Sequence, residues 1–171
     1  MPSRRPSQMT RAEFVSTFGA VFEHSPWIAE DTFERGLSAA QDGVAGLHQA
    51  LCLTLKSAGR QRQLTLIRAH PDLAGKLAVA GGLSAASKSE QASAGLDQCR
   101  PQEFAQFNRL NTVYTKRFGF PFIMAVKGRD RAAILAALEA RVDNDPASEF
   151  GTALRQIERI ALFRLEEIFA E

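Results

Sequence analysis

The chain has 171 residues, 45% of them hydrophobic and 23% charged, with a formal net charge of +2. That length carries one sizeable core and is short for two, and the composition is that of an ordinary globular protein. The basic residues are scattered rather than massed on one stripe, so nucleic acid is not an expected partner.

Met1-Pro2-Ser3-Arg4-Arg5-Pro6 is mildly basic, and the first nine or so positions are expected to be a frayed terminus. Thr10-x-x-Glu13 has the form of a capping box, and Phe14, Phe18, Val21 and Phe22 follow at helical spacing. This predicts a helix over roughly 11–23, stopped near His24-Ser25-Pro26. Pro26 suits the first turn of a short second helix reaching about Gly36. Asp42 is expected to open a third helix to about Ser57, with Val44, Leu47, Leu51 and Leu55 on one face. Gly59 ends it, and a fourth helix runs from Arg60 to Ala69 with Leu64, Leu66 and Ile67 inward.

Proline disfavours the α region for the residue before it, so His70 of His70-Pro71 should leave that helix. An imidazole, which titrates near neutrality, is thereby fixed at a helix end. The small-residue run Ala78 to Ser84 reads as a loop, and Ser87-x-x-Glu90 starts a fifth helix to about Leu96. After Pro101 a long helix carries Phe104, Phe107, Leu110, Asn111, Tyr114 and Phe118, ending at Gly119-Phe120-Pro121. Phe122-Ile123-Met124-Ala125-Val126 is strand-like, but one strand makes no sheet, so it is expected as a buried extended connector. Asp130 to Val142 and Pro146 to Phe169 complete the set as amphipathic helices. The fold class expected is all-α, a single-domain bundle over 1–171 of about seven to nine helices with one extended connector.

Cys52 and Cys99 have no CxxC and no flanking histidines, and His24, His48 and His70 share no ligand spacing, so no metal site is expected. Reduced thiols, the lack of a signal-peptide core or membrane-length apolar run, and a C-terminus that is no peroxisomal address together suggest a cytoplasmic, membrane-free protein. His24 and His48 read as structural. Ser87, Glu90 and Gln91 share one face of a first turn: they cap it, or they offer donors and acceptors to a small polar ligand. Phe150, Leu154, Ile157, Ala161, Arg164 and Ile168 form an inward stripe, and Arg164 is the anomaly on it. A buried guanidinium needs an anion. The anion is either an acidic side chain from another helix or a substrate carboxylate held bidentately, unless the stem snorkels out.

These residues resemble the family of 2-oxo-4-hydroxy-4-carboxy-5-ureidoimidazoline (OHCU) decarboxylases of the urate-to-allantoin route. The matching segments are Phe22-Glu23-His24-Ser25-Pro26-Trp27, Arg68-Ala69-His70-Pro71-Asp72-Leu73-Ala74-Gly75-Lys76 and Ser87-x-x-Glu90-Gln91. Asn111-x-x-Tyr114-x-x-x-Phe118-Gly119-Phe120-Pro121-Phe122 and Arg164-Leu165 extend the likeness over nearly the whole chain. The resemblance implies an all-helical homodimer with no cofactor, acting on a small ureidoimidazoline. It implies His70 as the catalytic proton carrier, with Glu90 and Arg164 at the other catalytic or orienting positions. Pro71, Ser87, Glu90, Gln91, Phe122, Ile123, Met124, Ala125 and Val126 match segments that line the ligand pocket. A related ureide enzyme, or a non-catalytic helical module that binds a small anion or a partner protein, also accommodates the same residues.

Overall fold

The computed structural model describes residues 5–71 and 101–170. Among these, regular structure is entirely helical: α1 Arg11–Phe18, α2 Trp27–Glu34, α3 Val44–Ser57, α4 Arg60–Ala69, α5 Pro101–Phe118, α6 Arg131–Arg141 and α7 Pro146–Ala170, with short 3-10 turns at Pro6–Gln8 and Ala39–Gln41. The all-α expectation holds. None of these helices is long and apolar enough to cross a membrane. The chain divides into two compact units, one from the residues up to Ala69 together with those from Glu158 onward, the other from His70 to Ile157.

In the first unit the capping box forms as expected. The Thr10 N–H donates to Glu13 Oε2 at 2.8 Å, and Thr10 Oγ1 accepts from the Glu13 N–H at 3.3 Å. Behind it, α1 buries Phe14 and Phe18, whose rings lie 4.9 Å apart, and Phe18 stacks at 6.0 Å on Phe169 of α7. The helix stops at Phe18, short of the expected 23. The reason is geometric: Val21, Phe22 and Glu23 are all buried, and three consecutive residues of a helix cannot share one inward face. Farther on, α2 packs on α3, where Thr32 Oγ1 donates to the Ile28 carbonyl at 2.6 Å and pairs with Thr54 Oγ1 at 2.7 Å. Gly46 lets the 3-10 turn press against α3, because a Cβ there would lie 1.8 Å from the Ala40 carbonyl oxygen.

Asp42 does not open α3. Gly43 takes the capping position, and the Asp42 carboxylate instead accepts from the Ser7 N–H at 2.8 Å and the Ser7 hydroxyl at 2.9 Å. This also corrects the frayed terminus: from Pro6 onward the chain is folded, with Pro6 and Met9 buried. The Ser7 backbone donor, followed by its hydroxyl and Arg5, holds the Asp42 carboxyl below its ordinary value.

In the second unit, Gly119 ends α5 with φ +73°, its N–H returning to the Thr115 carbonyl at 2.8 Å. Tyr114 is fully buried amid Phe118, Phe120 and Phe122, with ring centroids at 4.6, 6.1 and 5.3 Å. Residues 122–126 carry no regular element, and all five are buried, as expected of a connector. Asp130 then caps α6 by accepting from the Ala133 N–H at 2.8 Å. Along α7 the buried positions are Glu149, Phe150, Ala153, Ile157, Ile160, Ala161, Arg164 and Leu165, whereas Leu154 and Ile168 of the expected stripe are only half-buried.

A depressed carboxyl stabilises the fold above the ordinary aspartate value of 3.8, and the contribution is lost as pH falls through the lower folded value. Asp42→Ala is therefore expected to melt a few degrees below the parent chain at pH 7, with the gap narrowing steadily below pH 3.8. Thermal melts across pH check this, and a gap that is constant down to acid would contradict it.

Candidate functional site

α4 ends at Ala69, one residue before the His70-Pro71 pair, as the proline requires. His70 is 7% exposed and Pro71 half-buried, so the imidazole is withdrawn from bulk water at the end of a helix. Ser87, Glu90, Gln91 and the Ala78 to Ser84 run lie outside the described residues.

Arg164 is 6% exposed on the inward face of α7. Its Nη2 donates to Glu23 Oε2 at 3.0 Å and its Nη1 to the Val21 carbonyl at 3.3 Å. An acidic side chain thus stands beside the guanidinium, from the α1–α2 connection rather than from another helix. Glu23 is 2% exposed, so both charges are desolvated and each makes the other tolerable. His24 is exposed at φ 47°, a left-handed conformation, and its Nε2 lies 3.7 Å from Oε1 of the buried Glu23.

The other histidine is structural, as expected. His48 Nε2 lies 2.8 Å from the Glu158 carbonyl oxygen and 3.3 Å from Cys52 Sγ. Burial, with Glu158 adding to it, pushes the Cys52 thiol up to about 12, so it stays protonated and non-nucleophilic near neutrality. Among the described residues no group of three or more His, Cys, Asp or Glu gathers as a metal site.

Among the described residues, the connector is held by side chains rather than by a neighbouring strand. The Ile123 carbonyl accepts from Arg141 Nη1 at 2.8 Å, and the Ala125 N–H donates to Gln156 Oε1 at 3.0 Å. Arg141 also lies over the Phe122 ring at 4.5 Å. Its Nε donates to Glu149 Oε1 at 2.8 Å, and Nη2 reaches the same oxygen. The Tyr114 hydroxyl donates there too, while Asn144 Nδ2 donates to Glu149 Oε2 at 2.8 Å. Burial and the Glu149 carboxylate raise the Tyr114 hydroxyl well above its ordinary value, which keeps it a donor. Sequence reasoning singled out Tyr114 but missed Arg141, Glu149 and Gln156. A signal existed: Glu149 stands one turn before Ala153 and two before Ile157, on the same apolar face.

A family model described as OHCU decarboxylase matches residues 7–166. The chain is 44% identical to the 2-oxo-4-hydroxy-4-carboxy-5-ureidoimidazoline decarboxylase of Haloferax volcanii, over 92% of this chain and 89% of that protein. It is 42% identical to the uric acid degradation bifunctional protein PucL of Bacillus subtilis, over 96% of this chain but 32% of that longer protein. Among solved structures it is similar to a crystal structure of (S)-allantoin synthase, with a TM-score of 0.77 and 30% identity, covering 95% of this chain and 52% of that one.

The Arg164–Glu23 geometry makes a stability prediction. Glu23→Leu removes the carboxylate beside a buried guanidinium and should cost roughly 3–5 kcal/mol in denaturant unfolding. Glu23→Gln keeps a hydrogen-bond acceptor and should cost clearly less. Equal losses from the two would mean that the charge of Glu23 does not matter.

Proposed function

We infer that this chain, which belongs to the OHCU decarboxylase family, converts 2-oxo-4-hydroxy-4-carboxy-5-ureidoimidazoline to (S)-allantoin and CO₂ in urate degradation. The observation that carries this reading is His70: a buried imidazole released from α4 by Pro71, inside a family match that runs through it.

The substrate bears a carboxylate on a ring carbon that also holds a hydroxyl, next to a ring C=N bond. When the C–COO bond breaks, its electron pair enters the ring and the C=N nitrogen takes a proton, leaving an enol. The enol hydroxyl then gives up its proton as the neighbouring carbon accepts one, which yields the carbonyl of allantoin. The substrate supplies its own electron sink, so the chain has only to bind, orient and move a proton. His70 delivers that proton to one face, and the product is a single enantiomer. A positioned acid or base is worth about 10²–10⁴-fold. Donors aimed at developing charge add roughly 3 kcal/mol each.

Arg164, with its orientation set by Glu23 and the Val21 carbonyl, holds an anionic part of the substrate. Glu90, Gln91, Ser87 and Pro71 orient the ureido and ring groups. Phe122, Ile123, Met124 and Val126 contribute wall and backbone contacts. The Ala125 N–H is engaged by Gln156, so Ala125 anchors the connector. The same reading takes residues 1–171 as one functional domain, a homodimer working in the cytoplasm.

The test is circular dichroism at an allantoin-sensitive wavelength, with the substrate generated in place from urate by the two preceding enzymes. Rapid appearance of one enantiomer on adding the protein supports the decarboxylase. Slow, racemic allantoin unaffected by the protein would refute it and favour the binding module.

A further inference from the structure

We propose that Arg141 is a positioning residue for the substrate, acting through the connector at residues 122–126; the proposal rests on the reading that this connector lines the ligand pocket. The backbone groups of a buried extended segment must find partners. Among the described residues two side chains supply such partners, Arg141 at the Ile123 carbonyl and Gln156 at the Ala125 N–H.

Arg141 is the more constrained of the two. Its planar guanidinium sends Nη1 to the connector while Nε and Nη2 both face Glu149 Oε1. Because the fork is rigid, the place of Glu149 determines the place of the Ile123 carbonyl. Glu149 is itself fixed from two further sides, by Tyr114 of α5 and by Asn144 between α6 and α7. The Phe122 ring under the guanidinium adds a second contact on the connector, one residue from the first. A carboxylate with no exposure, a side chain that is 12% exposed and a backbone carbonyl therefore make one relay from the helices to the segment. Lysine could replace the charge of Arg141 but not the geometry, since it is a point charge without the fork.

The experiment is a titration of ¹⁵N-labelled full-length protein with (S)-allantoin, which follows the amide resonances of residues 122–126 in the parent chain, in Arg141→Lys and in Glu149→Gln. Far-UV circular dichroism and melting are recorded on the same samples. In the parent, allantoin is expected to move the connector amides. In Arg141→Lys these resonances should be displaced before any ligand is added, and allantoin should bind about tenfold more weakly, the scale of losing one charge-assisted hydrogen bond. If Arg141→Lys does not fold, Glu149→Gln, which keeps the shape but loses the charge and one acceptor oxygen, carries the same expectation. Folded variants that melt lower but bind allantoin within about twofold of the parent would overturn the proposal, leaving Arg141 merely structural. If allantoin fails to move the parent's connector amides, the pocket reading itself falls, and the proposal with it.

Discussion

Glu149 is a carboxylate with no exposure to water, and everything around it is arranged to make that tolerable. Arg141, Tyr114 and Asn144 all donate to it, so α5, α6, the turn after α6 and α7 each contribute to one charge-centred cluster. A buried ion pair gains little net stability over well-packed apolar groups, but removing one partner costs several kcal/mol. Its geometric demand is concrete: Arg141, Tyr114 and Asn144 must all be in place to satisfy the charge. The aromatic rings of Phe118, Phe120 and Phe122 close around Tyr114, whose bond to Glu149 is buried and so strengthened by the low local dielectric.

The first unit uses the same physics at Arg164. An arginine on an apolar helix face is matched by Glu23, delivered by a connection that stops being helical at Phe18 so that three successive residues can turn inward. In the proposed reaction Arg164 would need no reorganisation, because Glu23 already holds it in place. His70 is set by different means, through the conformational limit that proline imposes on its neighbour.

Much of this was legible in sequence because it is local. The capping box at Thr10, the Gly119-Phe120-Pro121 stop, the burial of residues 122–126 and the anomaly of Arg164 all follow from spacing within a few turns. What periodicity cannot give is the partner. It marks Arg164 as inward but does not choose Glu23, which lies 141 residues away. Asp42 departs from the expected helix opener for the same reason: its local setting suits a cap, and the competing donor, Ser7, is distant in sequence. Glu149 was hidden by its neighbour Phe150, which starts an equally good apolar stripe one position out of phase.

The claim on which the chemistry turns is that His70 carries the proton. It is tested most directly by single-turnover conversion of OHCU with His70→Asn, reading both rate and product handedness by circular dichroism. If His70 is the carrier, the acceleration should fall by about 10²–10⁴-fold and the allantoin formed should be racemic. Rapid formation of (S)-allantoin alone by His70→Asn would contradict it.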